Sequence, residues 1–440
     1  MKPQETRPDV HRRDFMKAGS LAAFMAALGG VPIEGQEAAR PGAAPVEPPL
    51  KPDPNYKEKP PAPPVNFGVI GLGAQGREIL TQLNKLPNAP VVALCDNYRP
   101  AFRRALEAAP KASTHTAPEE LLARPEVQAV VVATPTHLHR EIALAAMKAG
   151  KHVYLEAPLA HTVEDARAVA AAAQALPARQ IFQAGLQLRE NPQNHHVAKF
   201  VRTGASGRLA FSRGQANRKQ SWRRTSPNAE RERALNWRLY RETSIGLAGE
   251  VGIHSLDVAR WYHDRRPVAV TGYGGILQWQ DDREVADTVN LIVEFPGGVR
   301  HVYSSTLACS FEGEHDVFYG SDAAILIRDN KGWMFKETDA PLLGWEVYAR
   351  KDDFLNESGI ALVANATKIL AQGKKPAEAA SESDVPLRYA LEKFIEHIAE
   401  GTKPDADAQA GFEATVLAIR AHEAVIKGGR IELAPELFRI

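Results

Sequence analysis

The chain has 440 residues, room for two to three domains at about 150 residues each. Its 54 Lys and Arg balance 53 Asp and Glu to a net charge of +1, which excludes the basic excess of a nucleic-acid-binding surface, and 44% hydrophobic residues with 24% charged ones is the composition of an ordinary globular protein. The 2 cysteines, Cys95 and Cys309, form no C-x-x-C pair, and no His, Asp and Glu cluster has metal-ligand spacing, so a disulfide framework and a zinc ribbon are excluded and no metal is expected.

The first elements lie outside the fold. His11 to Lys17 is a charged start containing Arg12, Arg13 and Phe15, and a small-residue apolar run follows from Ala18 to Val31. That run is shorter than the ~20 residues a membrane span needs, and the whole resembles a twin-arginine export signal, over residues 1–33. The expectation is a protein exported already folded, to the periplasm or another extracytoplasmic space. Residues 34–64 are dense in Pro, with Pro pairs at 48–49, 60–61 and 63–64, and read as a linker too poor in apolar surface to order itself. No later stretch has the length and apolarity of a stable membrane span.

From Val65 the pattern becomes that of an α/β unit. The apolar run Val65 to Ile70 delivers Gly71, Leu72, Gly73, Ala74, Gln75 and Gly76 into a helical stretch from Arg77 to Leu86, and a second run, Val91 to Cys95, ends at Asp96. Strand, G-x-G-x-x-G turn, helix, strand and acid is the order of a dinucleotide-binding unit, with the acid at the spacing of about 20 residues that suits a ribose hydroxyl. Strands at Ala129 to Ala133, His152 to Leu155 and Ile181 to Ala184, with a helix from His139 to Ala149, extend it into a parallel sheet covered on both faces. An acid at Asp96 favours NAD over NADP, although Arg99, Arg103 and Arg104 close behind it leave NADP open.

Three blocks then carry a resemblance. Thr134-Pro135-Thr136-His137-Leu138-His139, Ala149-Gly150-Lys151-His152-Val153 and Glu156-Ala157-Pro158 are similar, in order and spacing, to the T-P-x-x-x-H, G-K-H-V and E-K-P blocks of the Gfo/Idh/MocA oxidoreductase family. With the glycine turn before them and Gly249 to Asp257 after, the resemblance covers nearly all of residues 65–440. It implies a Rossmann domain, here 65–185, followed by a C-terminal α/β domain with an open, mostly antiparallel sheet, 186–440, and NAD- or NADP-dependent chemistry on a sugar or polyol, while the expected folded export into a space without free nicotinamide dinucleotide calls for a tightly held cofactor. It places Thr134, Pro135, His137, His139 and Glu156 with Gly71, Gly73, Ala74, Gln75, Gly76 and Asp96 around the cofactor, and His254 as the catalytic base beside Glu250. It puts Gln187 and Arg189 in the substrate cleft. Two departures stand out: the family lysine of E-K-P is Ala157, and the acid of the acid-x-x-x-His pair is Glu250 where Asp is usual. A redox-neutral glycosidase or epimerase, and a silent nucleotide or sugar binder, therefore stay open beside the oxidoreductase.

The second domain also reads from its own residues. Val289, Leu291, Val293 and Phe295 alternate with polar positions, and Pro296-Gly297-Gly298 turns the chain back into Val299 to Leu307, a hairpin signal. Strand-like runs at Val268 to Gly274, Asp316 to Gly320 and Ala323 to Ile327 suit an antiparallel sheet through which copies of the chain would associate. Helical patterns occur at Ile360 to Ala371, Leu387 to Ala399 and Ala408 to Lys427. If residues 250–254 are helical, Glu250 and His254 share a face. His195 and His196 read as solvated surface. Trp222, Trp237 and Arg238 lie in a polar segment lacking clean periodicity and offer aromatic faces and a directional donor for a sugar.

Overall fold

The computed structural model describes residues 60–343 and 385–440 throughout, with 54, 57, 346, 349, 351–354, 357–364, 369 and 372. The expected signal segment 1–33 and the first part of the expected linker lie outside the described residues. In the first sheet β1 (Phe67–Ile70), β2 (Val91–Cys95), β3 (Ser113–His115), β4 (Ala129–Val132), β5 (His152–Leu155) and β6 (Phe182–Ala184) are parallel, in the order β3-β2-β1-β4-β5-β6. Every residue of β1 and β4 is buried, which is why these strands are continuous apolar runs and not alternating ones. Helices α1 (Ala74–Leu83), α2 (Phe102–Ala108), α3 (Pro118–Leu122), α4 (His139–Lys148) and α5 (Val163–Gln174) make the crossovers. The order reverses between β1 and β4, the place in such sheets where the loops after neighbouring strands part and leave a crevice.

The second sheet has ten strands, β14-β15-β13-β12-β11-β7-β10-β9-β8-β16. They are β7 (Leu209–Asn217), β8 (Ala269–Gly275), β9 (Thr288–Glu294), β10 (Arg300–Thr306), β11 (Glu314–Gly320), β12 (Ala323–Arg328), β13 (Lys331–Lys336), β14 (Lys351–Phe354), β15 (Glu357–Leu362) and β16 (Gly429–Glu432). Only β7 with β10 is parallel; the other pairs run antiparallel. The helices of this half are α6 (Pro192–Arg202), α7 (Ala229–Leu235), α8 (Gly246–Glu250), α9 (Ile253–His263), α10 (Pro386–Glu400) and α11 (Ala408–Lys427). On β9 the alternation places Val289, Leu291 and Val293 in the core while Ile292 stays 40% exposed.

Two expectations are corrected. The start of the helix expected from Ile360 is strand β15, because Ile360, Ala361 and Leu362 pair with Met334, Trp333 and Gly332 of β13. Nor is the second domain one contiguous stretch, for α10 returns to the first domain. Its Phe394 packs against Phe67 and Tyr154, at ring distances of 6.2 and 5.9 Å, and its Ala390 carbonyl accepts from Gln183 at 2.9 Å.

Candidate active site

The glycine turn after β1 is shaped by what surrounds it. Gly71 has φ +93°, and a Cβ there would lie 2.6 Å from the Ala133 carbonyl oxygen; a Cβ on Gly76 would lie 1.9 Å from that of Gly71. A Cβ on Gly73 would meet nothing within 4 Å, and Gly73 caps α1 without a side-chain bond, so no cap side chain takes the first-turn N–H groups around Ala74 and Gln75. The Asp96 carboxylate accepts from the Leu72 and Tyr98 N–H groups, both at 2.8 Å, which fixes the turn and holds the acid at the end of β2. Across the crevice, Thr134 Oγ1 and Glu156 Oε1 are buried without a partner among the described residues. Burial pushes the Glu156 carboxyl up to about 7, opposed by a hydrogen bond from Gln75 and by the charge of Arg238. Open helix N–H groups, a ribose-height acid and orphaned acceptors together fit a dinucleotide.

Glu250 ends α8 and is held from both domains. Its carboxylate accepts from Thr136 Oγ1 at 2.9 Å, and from Ser244 Oγ and the Ile245 N–H, each at 3.3 Å. Burial raises its pKa, with Arg238 and these hydrogen bonds opposing. His254 belongs to the next helix, α9, because the chain breaks at Val251 and Gly252, where a Cβ would meet the Ala248 carbonyl oxygen at 2.2 Å. The expectation that Glu250 orients the imidazole along one helix face is corrected accordingly: its hydrogen-bond partners are Thr136, Ser244 and Ile245. The charges acting on His254 are Glu314, Asp257 and Arg218. Burial is the largest influence and holds the His254 pKa below the ordinary imidazole value, while its Nδ1 is buried and unpartnered.

Above Glu250 the aromatic residues converge. The Arg238 guanidinium lies 4.8 Å from the Trp237 ring centre and 5.8 Å from that of Trp222. Trp237 lies 6.2 Å from the His137 ring, which meets His161 edge-on at 6.2 Å, and both imidazoles keep a buried, unpartnered Nδ1. His161 and Thr136 were not singled out from sequence, since nothing local marks a histidine three residues after a proline or a threonine between two named positions.

Other expected site residues sit elsewhere. His139 is buried with Nδ1 2.8 Å from the Pro158 carbonyl and Nε2 2.9 Å from that of Thr134; the neutral ring donates to one of them, and both nitrogens face this chain's own backbone and not a cofactor. Arg189 is taken up by a bidentate pair with Asp257 at 2.7 and 2.9 Å, which removes it from the substrate cleft. Gln187 is partly buried in the turn after β6. His195 is partly solvated, its side chain 37% exposed, and it also packs on Trp261 at 4.8 Å and pairs with Asp405 at 3.2 Å. His196 is likewise partly buried, against Phe200 at 5.1 Å. Among the described residues no group of three or more His, Cys, Asp or Glu gathers as ion ligands, and no helix is long and apolar enough to cross a membrane.

A Rossmann sheet with its glycine turn, backed by a broad antiparallel sheet, is the two-domain architecture of nicotinamide-dinucleotide-dependent oxidoreductases. Residues 65–183 match the GFO_IDH_MocA oxidoreductase family with NAD-binding Rossmann fold, and residues 195–326 match the GFO/IDH/MocA C-terminal domain. The chain belongs to this family, and NAD is the cofactor its first domain is built for. An uncharacterized oxidoreductase of Streptococcus pneumoniae is 28% identical over 211 residues, 48% of this chain and 53% of that protein. The chain thus spans about half the length of that relative. A 1,5-anhydro-D-fructose reductase of Ensifer adhaerens is 29% identical over 269 residues, 60% of this chain and 75% of that protein. Among solved structures, levoglucosan dehydrogenase in complex with NADH superposes with a TM-score of 0.68 at 20% identity, covering 84% of this chain and 99% of that one, a likeness of fold.

Proposed function

We propose that the protein oxidises or reduces one carbon of a cyclic sugar or polyol, with NAD(H) held tightly in the crevice beside β1. The observation that carries the reading is His254: a half-buried imidazole whose pKa burial holds below the ordinary value, with an unpartnered Nδ1, on the helix that follows the Thr136-anchored Glu250. Bound NAD supplies the hydride acceptor. His254 takes the hydroxyl proton at Nδ1, as a neutral imidazole can. Ala157 has no donor to offer, so the groups left to orient the hydroxyl are the unpartnered Nδ1 atoms of His137 and His161. Trp222 and Trp237 present faces for the C–H side of a sugar ring, and Arg238 between them presents N–H donors. The sugar- and polyol-directed names among the relatives support this substrate class.

Ala157 favours a second reading, a catalytically silent nucleotide or sugar binder, and substrate-dependent turnover separates the two. Export in the folded state, with the cofactor already aboard, is part of the proposal. So is association of two copies through the outer face of the ten-stranded sheet, where Phe211, Ile292 and Val302 are 40%, 40% and 37% exposed. The direct experiment denatures the purified protein and identifies the nucleotide released, then adds cyclic polyols to the intact protein and follows the reduced-nicotinamide absorbance. Release of no dinucleotide, with no reduction by any polyol, would end the oxidoreductase reading.

A further inference from the structure

The strand order places β1 between β2 and β4, so the glycine turn lies between the loop after β2, Asp96 to Tyr98, and the loop after β4, Thr134 to Leu138. One segment of the second domain, 221–243, is fastened to both. On the β2 side, Arg231 donates to Asn97 Oδ1 at 3.2 Å and lies 4.5 Å over the Tyr98 ring. On the β4 side, the Trp237 ring lies 6.2 Å from His137, within the range of paired rings. Residues 232–236 run between these two attachments and hence pass the turn at the crevice.

The segment is also tied to itself. Buried Asn236 accepts from the Arg224 N–H at 2.7 Å and donates to its carbonyl at 3.0 Å, which places Arg224 beside the crossing. Arg223 pairs with Glu232, and Ser221 donates to Asp281 at 3.1 Å. The guanidinium of Arg224 has no carboxylate partner among the described residues. Burial first and the charge of Arg238 second lower the Arg224 pKa, and burial first and the charge of Arg224 second lower that of Arg77, the residue directly after Gly76. The Arg77 guanidinium donates to the Leu72 carbonyl at 3.1 Å and pairs with no carboxylate among the described residues. The charge of Arg238 is shared with Glu156 and Glu250, whereas Arg224 and Arg77 have no carboxylate partner among the described residues, and a pyrophosphate is a group of the right charge for those two.

We propose that residues 221–243 form a strap across the dinucleotide groove, in which Arg224 is the counter-charge that the second domain brings to the pyrophosphate. The proposal rests on the NAD reading above and adds the residues that keep the cofactor from leaving. Arg231 fixes the adenosine end of the strap, Asn236 sets the height of Arg224, and Trp237 with Arg238 closes the nicotinamide end.

The test uses the full chain loaded with NADH and chased with excess NAD, with release followed by nicotinamide fluorescence. Arg224→Ala is expected to release NADH at least tenfold faster, Arg224→Lys to fall between, and Arg231→Gln to accelerate release by freeing one end. Raised salt should speed release from the wild type and do so less in Arg224→Ala. The melting temperature of the nucleotide-free Arg224→Ala protein should not fall, since a like charge has been removed, while its rise on adding NADH should shrink. Release from Arg224→Ala within twofold of wild type would overturn the strap and leave the NAD reading intact. A wild-type protein that binds no NADH would overturn both.

Discussion

Replacing Arg189 by Met tests whether this side chain is structural or touches substrate. The two charge-assisted hydrogen bonds to Asp257, at 2.7 and 2.9 Å, are made where the side chains are 9% and 2% exposed, and the guanidinium also lies 5.3 Å from the Trp261 ring. Removing one partner strands a buried carboxylate, which costs about 3–5 kcal/mol. Arg260, 3.5 Å from the same carboxylate, remains to neutralise it in part, so the lower end, about 3 kcal/mol, is expected. At about 2–4 °C per kcal/mol for a domain of this size, that lowers Tm by about 6–12 °C. Urea unfolding with unchanged slope is the assay. The double variant Arg189→Met with Asp257→Leu removes both charges and should recover most of the loss. A single variant that loses less than about 1 kcal/mol while its KM for the polyol rises would refute the structural assignment and return Arg189 to the cleft.

Glycines give the next contrast. Gly73→Ala meets nothing within 4 Å and should leave the unloaded fold intact while weakening NADH binding, whereas Gly76→Ala must move the Gly71 backbone and should lower stability as well; equal NADH affinity in Gly73→Ala would contradict the cradle. Acid stability follows from four histidines that burial keeps neutral, His139, His263 and His422 with pKa lowered to about 4 and His301 to about 3. The unfolded imidazoles take protons near 6.5, so the stability is full above that pH and lost as pH falls toward 4. Glu156 and Asp316, both raised to about 7, work the other way, losing stability as pH rises through 7. Four groups against two leave unfolding free energy rising from pH 4.5 to 6.5, and a flat urea-midpoint profile there would show the imidazoles are not buried neutral. Finally, Ile292→Glu with Val302→Glu should turn an associated species into monomer by light scattering without loss of Tm, and an unchanged mass would exclude this face.

What was legible in the sequence was what local pattern encodes. The apolar runs of β1, β2, β4 and β5, the glycine turn and Asp96 stand where period and spacing put them, because burial on both faces leaves no other composition for those strands. The antiparallel hairpin of β9 and β10 was legible for the same reason, its alternation matching one buried face. What escaped was set by distance along the chain. Arg189 and Asp257 are 68 residues apart, and Thr136 and Glu250 are 114 apart, so no window of sequence could pair them. The break between Glu250 and His254 depends on Gly252 touching the Ala248 carbonyl, a contact that an i, i+4 reading passes over. Residues 221–243 showed no periodicity because they are fastened by single arginines, asparagines and aromatic rings to two separate loops, and a segment held that way needs no repeating apolar face.

The central claim, that His254 is the base of an NAD-dependent polyol oxidoreductase, is tested most directly by a single-turnover experiment on the loaded protein. Wild type and His254→Ala, each saturated with NAD, are mixed with a panel of cyclic polyols while the reduced-nicotinamide absorbance is followed. The account predicts a rise toward one equivalent per chain in the wild type, and in His254→Ala full nucleotide binding with the rise slowed by the 10²–10⁴-fold that a positioned general base contributes. A His254→Ala protein that reduces its NAD within a few-fold of the wild-type rate would contradict it.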